Sequence, residues 1–208
     1  MTIETVIFDF DGTIADSLRV VLSVAEDVFD VDRAFDDSFV HELRGMSQSE
    51  ILEALDISMF QALLHWKEGK EEFADRVEGI DVFDGVKDAL HDLDDQYDLG
   101  ILTNNDEMTV RRFIDHHDLP SFQFIEDSFI LSSKANELDR LVTDVCDGDV
   151  SEVVYVGDQV SDVEAAYEVG CAAIAVTWGY NSDDYLEEVA ADQIIAHPSE
   201  LVSAVQSL

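Results

Sequence analysis

The segment VIFDFDGT, Val6 to Thr13, closes an apolar run with two aspartates one residue apart and then passes into Gly-Thr. Carboxylates crowded at the end of a buried run repel one another and lose hydration, so the chain must supply compensation. Other runs end in groups that can do so. VVYVGDQVSD delivers Asp158 directly after Gly157, and Asp162 at the start of a helical pattern. Carboxylates converging from two such runs make a hard-cation site, and oxygen ligands with room for water suit Mg²⁺. LGILTNN brings Thr103 and Asn104 to a further strand end just before a helix, where a hydroxyl and free backbone N–H groups can hold an anion. Lys134, in LSSKANELDR, stands at a strand-to-helix junction in a chain with only four lysines. Alone it reads as a surface lysine at a helix start. Beside the other groups it can offset charge on a bound phosphate and on a nucleophile.

Spacing alone carries none of this. In so aspartate-rich a chain the D-x-D pattern arises by chance roughly four times, and four pairs occur, at 9/11, 30/32, 92/94 and 147/149. Only the first stands at the end of a Val-Ile-Phe strand. Alternation along an extended chain puts Asp9 and Asp11 on one side, Gly12 permits a tight turn, and Thr13 adds a hydroxyl and an N–H.

The elements that must position these groups follow from periodicity. TVIFDF, YDLGILT, VVYVGD, CAAIAV and DQIIA are strand-like and mostly too continuous for a half-exposed sheet, which predicts a parallel sheet covered on both faces. Helical patterns separate them at Gly85 to Leu93, Glu107 to His116, Ala135 to Val145, Asp162 to Val169 and Ser199 to Val205. Strand alternating with helix predicts an α/β, doubly wound, Rossmann-like fold that binds ligands at the C-terminal strand ends. From 14 to 80 only helical patterns appear, such as SLRVVLSVAEDVF, so this stretch reads as a helical cap inserted into a core made of 1–13 and 81–208.

Composition limits the partners. The 208 residues carry 48 acidic against 11 basic side chains, a formal net charge of −37 spread from end to end. Such a surface argues against nucleic acid or an anionic membrane as partner. It suits a salty environment, because at about 1 M salt the Debye length is roughly 3 Å and self-repulsion is screened. Cys146 and Cys171 match neither a disulfide framework nor a metal pattern and read as small core residues. No apolar segment approaches the roughly 20 residues of a membrane span, and the N-terminus lacks a basic region before its apolar run. A cytoplasmic location is the simplest expectation.

Taken in order, DFDGT, LTNN, Lys134 and GDQVSD resemble the four motifs of the haloacid dehalogenase superfamily over nearly the whole chain. VFDGVKDALHDLDDQYDLGILTNN is similar to the approach to the second motif in the subgroup with a helical cap, which includes phosphoglycolate phosphatases and β-phosphoglucomutases. Two positions depart from that pattern: Asp84 stands where a proline usually precedes the glycine, and Ala135 where a proline often follows the lysine. The resemblance implies that Asp9 is a nucleophile forming an aspartyl-phosphate and that Asp11 is the acid for the leaving alkoxide and then the base for water. It implies Mg²⁺ held by the Asp9 carboxylate, the Asp11 backbone carbonyl and Asp158, with Asp162 orienting bound water, and phosphoryl oxygens held by Thr103, Asn104 and Lys134.

The presence of Asp11 speaks against dehalogenation and against phosphonate cleavage, for which the related enzymes lack that acid. HELRGMSQSEIL resembles the cap segment facing the active site in this subgroup, so Arg44 is a candidate for a second anionic group of the substrate, such as the carboxylate of phosphoglycolate; pairing with a neighbouring acid is the alternative. The expected activity is hydrolysis of a small phosphorylated metabolite. A sugar-phosphate mutase and a non-catalytic Mg²⁺-binding domain are the alternatives. Oligomeric state is not legible.

Overall fold

The computed structural model describes residues 2–208 except 30, 32–34, 45, 47, 129–132, 146–148 and 188. Cys146 falls outside the described residues, whereas Cys171 is buried.

Strand β1 (Thr5–Phe8) is followed by helices α1 (Leu18–Phe29), α2 (Asp37–Leu43), α3 (Gln48–Ala54), α4 (Met59–Leu64) and α5 (Trp66–Arg76). The alternating part then runs α6 (Val86–Asp94), β2 (Asp98–Thr103), α7 (Glu107–His117), β3 (Phe124–Asp127), α8 (Lys134–Val145), β4 (Val153–Gly157), α9 (Val160–Val169) and β5 (Ala172–Val176). It closes with α10 (Asp183–Leu186), β6 (Gln193–Ile195) and α11 (Leu201–Gln206).

The strands form one six-stranded sheet in the order β3-β2-β1-β4-β5-β6, every neighbouring pair parallel. Its two faces explain the continuous apolar runs. Val6 and Phe8 enter one cluster with Leu90 and Leu93 of α6, Phe113 of α7 and Leu201 of α11. Ile7 points the other way, into a cluster with Leu138 and Leu141 of α8 and Val163 of α9. Because a strand alternates its side chains, a sheet buried on both sides must be apolar at every position.

The sheet contains one strand that the apolar patterning does not show. β3 is an edge strand of four residues, FIED, in which Ile125 is the buried member and Asp127 is exposed. Two apolar side chains on a half-covered edge give too short a pattern to stand out from the flanking loop.

Helices α1 to α5 fill the interval between β1 and α6, and among the described residues 14–80 hold no strand. Leu18 and Leu22 of α1, Phe39 and Leu43 of α2, Leu55, Ile57 and Ala62 form a separate apolar cluster. Val24 of α1 and Phe73 of α5 instead join the cluster on the sheet. α1 is therefore apolar on more than one side and seats the helical group against the sheet.

Candidate active site

β1 and β4 lie side by side, Phe8 in register with Val156, so Asp9 and Asp158 emerge at neighbouring C-terminal strand ends. This is where the strand order reverses, because the chain builds β2 and β3 on one side of β1 and β4 to β6 on the other. Such a switch point opens a crevice above the sheet. Beyond Phe8 the chain turns sharply: the Asp9 N–H still bonds the Val156 carbonyl at 2.8 Å, while the N–H groups of Ile14 and Ala15 both return to the Phe10 carbonyl at 3.0 Å. Gly12 makes that turn with φ of +84°, and a Cβ there would strike the Asp158 carboxylate, so geometry and space both demand glycine.

Three buried carboxylates meet at this point, with oxygens of Asp9, Asp158 and Asp162 all within 4.8 Å of one another. Asp158 is 0% exposed. Its oxygens accept the Thr13 hydroxyl at 2.9 Å and the Tyr180 N–H at 2.6 Å. Asp162 sits in the first turn of α9, where one oxygen accepts the Gln159 N–H at 2.9 Å and the other pairs with the Lys134 ammonium. Lys134, the first residue of α8, also reaches Asp9 at 3.3 Å and lies 5.8 Å from the Tyr155 ring centre.

One ammonium does not balance this cluster. Burial raises the Asp9 carboxyl to about 7; Lys134 pulls it down, and the charges of Asp162 and Asp11 push it further up. Burial, then Asp162 and Asp9, hold Asp158 well above the usual carboxylate range. Burial works against the charge on Lys134, but Asp162 and Asp9 outweigh it and raise the ammonium well above its ordinary value. Buried oxygens that prefer protons to bare charge fit a hard divalent cation, which would relieve the same desolvation and repulsion.

Asp11 occupies an adjoining pocket. One of its oxygens accepts the Asn105 amide N–H at 2.5 Å; the other is buried and has no partner among the described residues. Burial lifts its carboxyl to about 6, tempered by the Ser17 hydroxyl, the Asn105 amide and Lys134. A carboxyl in that range can give up and regain a proton near neutral pH.

The structure thus brings Asp9, Asp11, Asp158, Asp162 and Lys134 into one constellation, with Thr103 at the neighbouring end of β2. The Thr103 hydroxyl accepts the Asn105 N–H at 3.1 Å. The Asn104 side chain is turned toward β3, where its oxygen accepts the Ser128 hydroxyl at 2.6 Å. It is the next residue, Asn105, that reaches Asp11, a role that nothing in the pattern LTNN separates from that of Asn104. The Arg44 guanidinium lies on the segment after β5, donating from Nε to the Gly179 carbonyl at 2.8 Å and from Nη2 to the Thr177 carbonyl at 3.2 Å. Tyr180 belongs to the site and carries no motif: besides its N–H on Asp158, its hydroxyl meets the Ser17 hydroxyl at 2.7 Å.

A family model for haloacid dehalogenase-like hydrolases matches residues 6–176. The chain is 33% identical to a phosphoglycolate phosphatase of Synechococcus elongatus, over 99% of this chain and 98% of that one. It is 22% identical to the pyrophosphatase PpaX of Bacillus mycoides, over 97% of this chain and 96% of that one. Among solved structures, a predicted phosphatase from Clostridium acetobutylicum superposes with a TM-score of 0.81 at 23% identity, each chain fully covered. A haloacid dehalogenase-like hydrolase from Streptococcus pneumoniae gives 0.78 at 22% identity, covering 98% of this chain and 99% of that one. These likenesses to solved structures concern the fold.

Proposed function

Because this chain belongs to the haloacid dehalogenase-like hydrolase family, we propose that it is a Mg²⁺-dependent phosphatase of small phosphate monoesters, with phosphoglycolate as the first substrate to test. The convergence of Asp9, Asp158 and Asp162, with Lys134 on Asp9, carries the reading. The phosphoglycolate phosphatase relative at 33% identity supports the substrate.

In this reading an Asp9 oxygen attacks phosphorus as the ester P–O bond breaks, and Asp11 gives its proton to the departing alkoxide. Asp11 then takes a proton from water, whose oxygen attacks the aspartyl-phosphate and frees Asp9 and inorganic phosphate. A weakly basic carboxylate suffices as nucleophile because the transition state of phosphoryl transfer is loose. Lys134, the Thr103 hydroxyl and the backbone N–H of Asn104, whose side chain is held by Ser128, take the equatorial oxygens, and the short bond from Asn105 orients the Asp11 carboxyl. Asp9, Asp158 and the Asp11 backbone carbonyl would hold Mg²⁺, with Asp162 beside it, and the ion's chemistry there is to neutralise charge on the nucleophile and the phosphoryl group.

Residues 14–80 act as the cap over this crevice, and 1–13 with 81–208 as the core. Two of the donors of Arg44 are engaged on carbonyls, which leaves others for a carboxylate on the substrate. Among the described residues no helix is long and apolar enough to cross a membrane. The net charge of −37 supports a protein that works in concentrated salt.

Release of phosphate from p-nitrophenyl phosphate in molar salt, with and without Mg²⁺, tests the reading against Asp9→Asn. Wild type should hydrolyse the ester only with Mg²⁺, and Asp9→Asn should not; equal rates in the two would overturn the assignment. Transfer of phosphate between sugar phosphates without net release would identify a mutase instead. Carrying the same assay into dilute buffer should abolish activity, and full activity there would remove the salt reading.

A further inference from the structure

Residues 177–182, between β5 and α10, touch the acid cluster and the helical insert by turns. Tyr180 N–H holds Asp158, and a Cβ on Gly179 would strike both Asp158 and the Gly12 carbonyl, so the segment presses directly on the cluster. Asn181, 3% exposed, accepts the Val160 N–H at the start of α9 at 3.0 Å and donates to the Met46 carbonyl of the insert at 3.2 Å. Arg44 holds the carbonyls of Thr177 and Gly179, its own carbonyl accepts the Ser182 N–H at 2.8 Å, and the Tyr180 hydroxyl meets Ser17. Every bond that fixes the insert here lands within three residues of the N–H on Asp158.

We infer that residues 177–182 form a latch through which docking of Arg44 and Met46 sets the position of Asp158, with Arg44 and Asn181 as positioning residues for cation binding. The inference rests on the reading of Asp9, Asp158 and Asp162 as a cation site. Asp158 is buried among like charges and depends on the Tyr180 N–H and the Thr13 hydroxyl to hold its orientation. Releasing the insert frees the Thr177 and Gly179 carbonyls before that N–H, the Ser182 N–H after it and one of the two bonds of Asn181, so the donor loosens. Linkage makes the effect reciprocal: whatever docks the insert tightens the cation, and a bound cation favours the docked insert. A substrate gripped by the insert would therefore raise cation affinity without touching the metal ligands.

The test is calorimetric titration of the full chain with MgCl₂ in molar salt, without phosphate, alongside amide exchange at Tyr180 in the metal-free protein. Arg44→Met touches none of the carboxylates of the cluster, yet it should weaken Mg²⁺ binding roughly 3- to 10-fold, the effect of losing about one net hydrogen bond, and speed exchange at Tyr180. Arg44→Lys, which keeps one donor group, should recover part of both. Asn181→Ala breaks the bridge from the other side and should shift both readouts the same way, which keeps the test decisive if Arg44→Met does not fold. Folded variants with wild-type Mg²⁺ affinity and wild-type exchange would overturn the latch and leave the cation site standing. A wild-type chain that binds no Mg²⁺ would overturn both.

Discussion

Asp9-Phe10-Asp11 after β1 and Asp92-Leu93-Asp94 in α6 are the same pattern in opposite settings. In each, the middle residue is wholly buried and anchors the tripeptide in one apolar cluster. Around Leu93 the helix turns its neighbours outward, and both acids are exposed to water. After β1 the chain turns through Gly12 and both carboxylates stay inside, Asp9 against Lys134 and Asp11 against Asn105. Charge on α6 is hydrated and screened by salt; after β1 it is desolvated and aimed. A carboxylate becomes chemically useful through its address.

The largest expected contrast lies between Asp158→Ala and Asp92→Ala. Loss of a buried carboxylate proposed to hold the cation should lower phosphatase turnover by roughly a thousandfold or more. Loss of an exposed helical acid should leave turnover at wild type and change stability by no more than about 0.5 kcal/mol. Comparable effects from the two would dissolve the distinction between the settings. Asn105→Ala should have a smaller effect, lowering kcat by roughly 10- to 100-fold with KM little changed, since it disorients the Asp11 carboxyl without removing it. The corresponding Asn104→Ala, which loses a bond to Ser128, should cost less, and the reverse ranking would reassign the two asparagines.

The smallest effect concerns pH and stability in the metal-free protein. Native Asp9 keeps its proton up to about 7, whereas the unfolded chain loses it near 3.8. Between those values the native state binds more protons than the unfolded state, so this group subtracts stability as pH rises, and the loss levels off above its native value. Asp11, held at about 6, acts in the same direction over a narrower window. Chemical denaturation in EDTA at about pH 5 and about pH 8 should show wild type losing more stability over that interval than Asp9→Asn. Equal losses would show that the surface acids alone govern the response, and Mg²⁺ should abolish the difference in wild type.

Much of the site was legible because its signals are local. Runs of Val, Ile and Phe ending in acid, and glycine at the turn, mark β1 and β4 without knowledge of the sheet, and alternation with helices implies that their ends meet at a switch point. Asp9, Asp158 and Asp162 follow from these signals, whereas Lys134 reads alone as a surface lysine and gains its role only beside the other motifs. β3 was not legible, because two apolar side chains on a sheet edge leave almost no period. Nor was the division of labour between Asn104 and Asn105, since adjacent residues in a loop share every local signal, and only the partner 94 positions away distinguishes them.

Residue types and their order along the chain were enough to determine the doubly wound architecture, the acids at its strand ends and the acidic surface, because each depends on short-range periodicity or composition. Tertiary structure alone decided that Arg44 grips the carbonyls of Thr177 and Gly179 and that Tyr180 closes over Asp158. Those contacts join residues 133 and 135 apart for Arg44 and 22 apart for Tyr180. Side-chain direction at the end of a strand is set by what packs against it, and that information is not local in the chain.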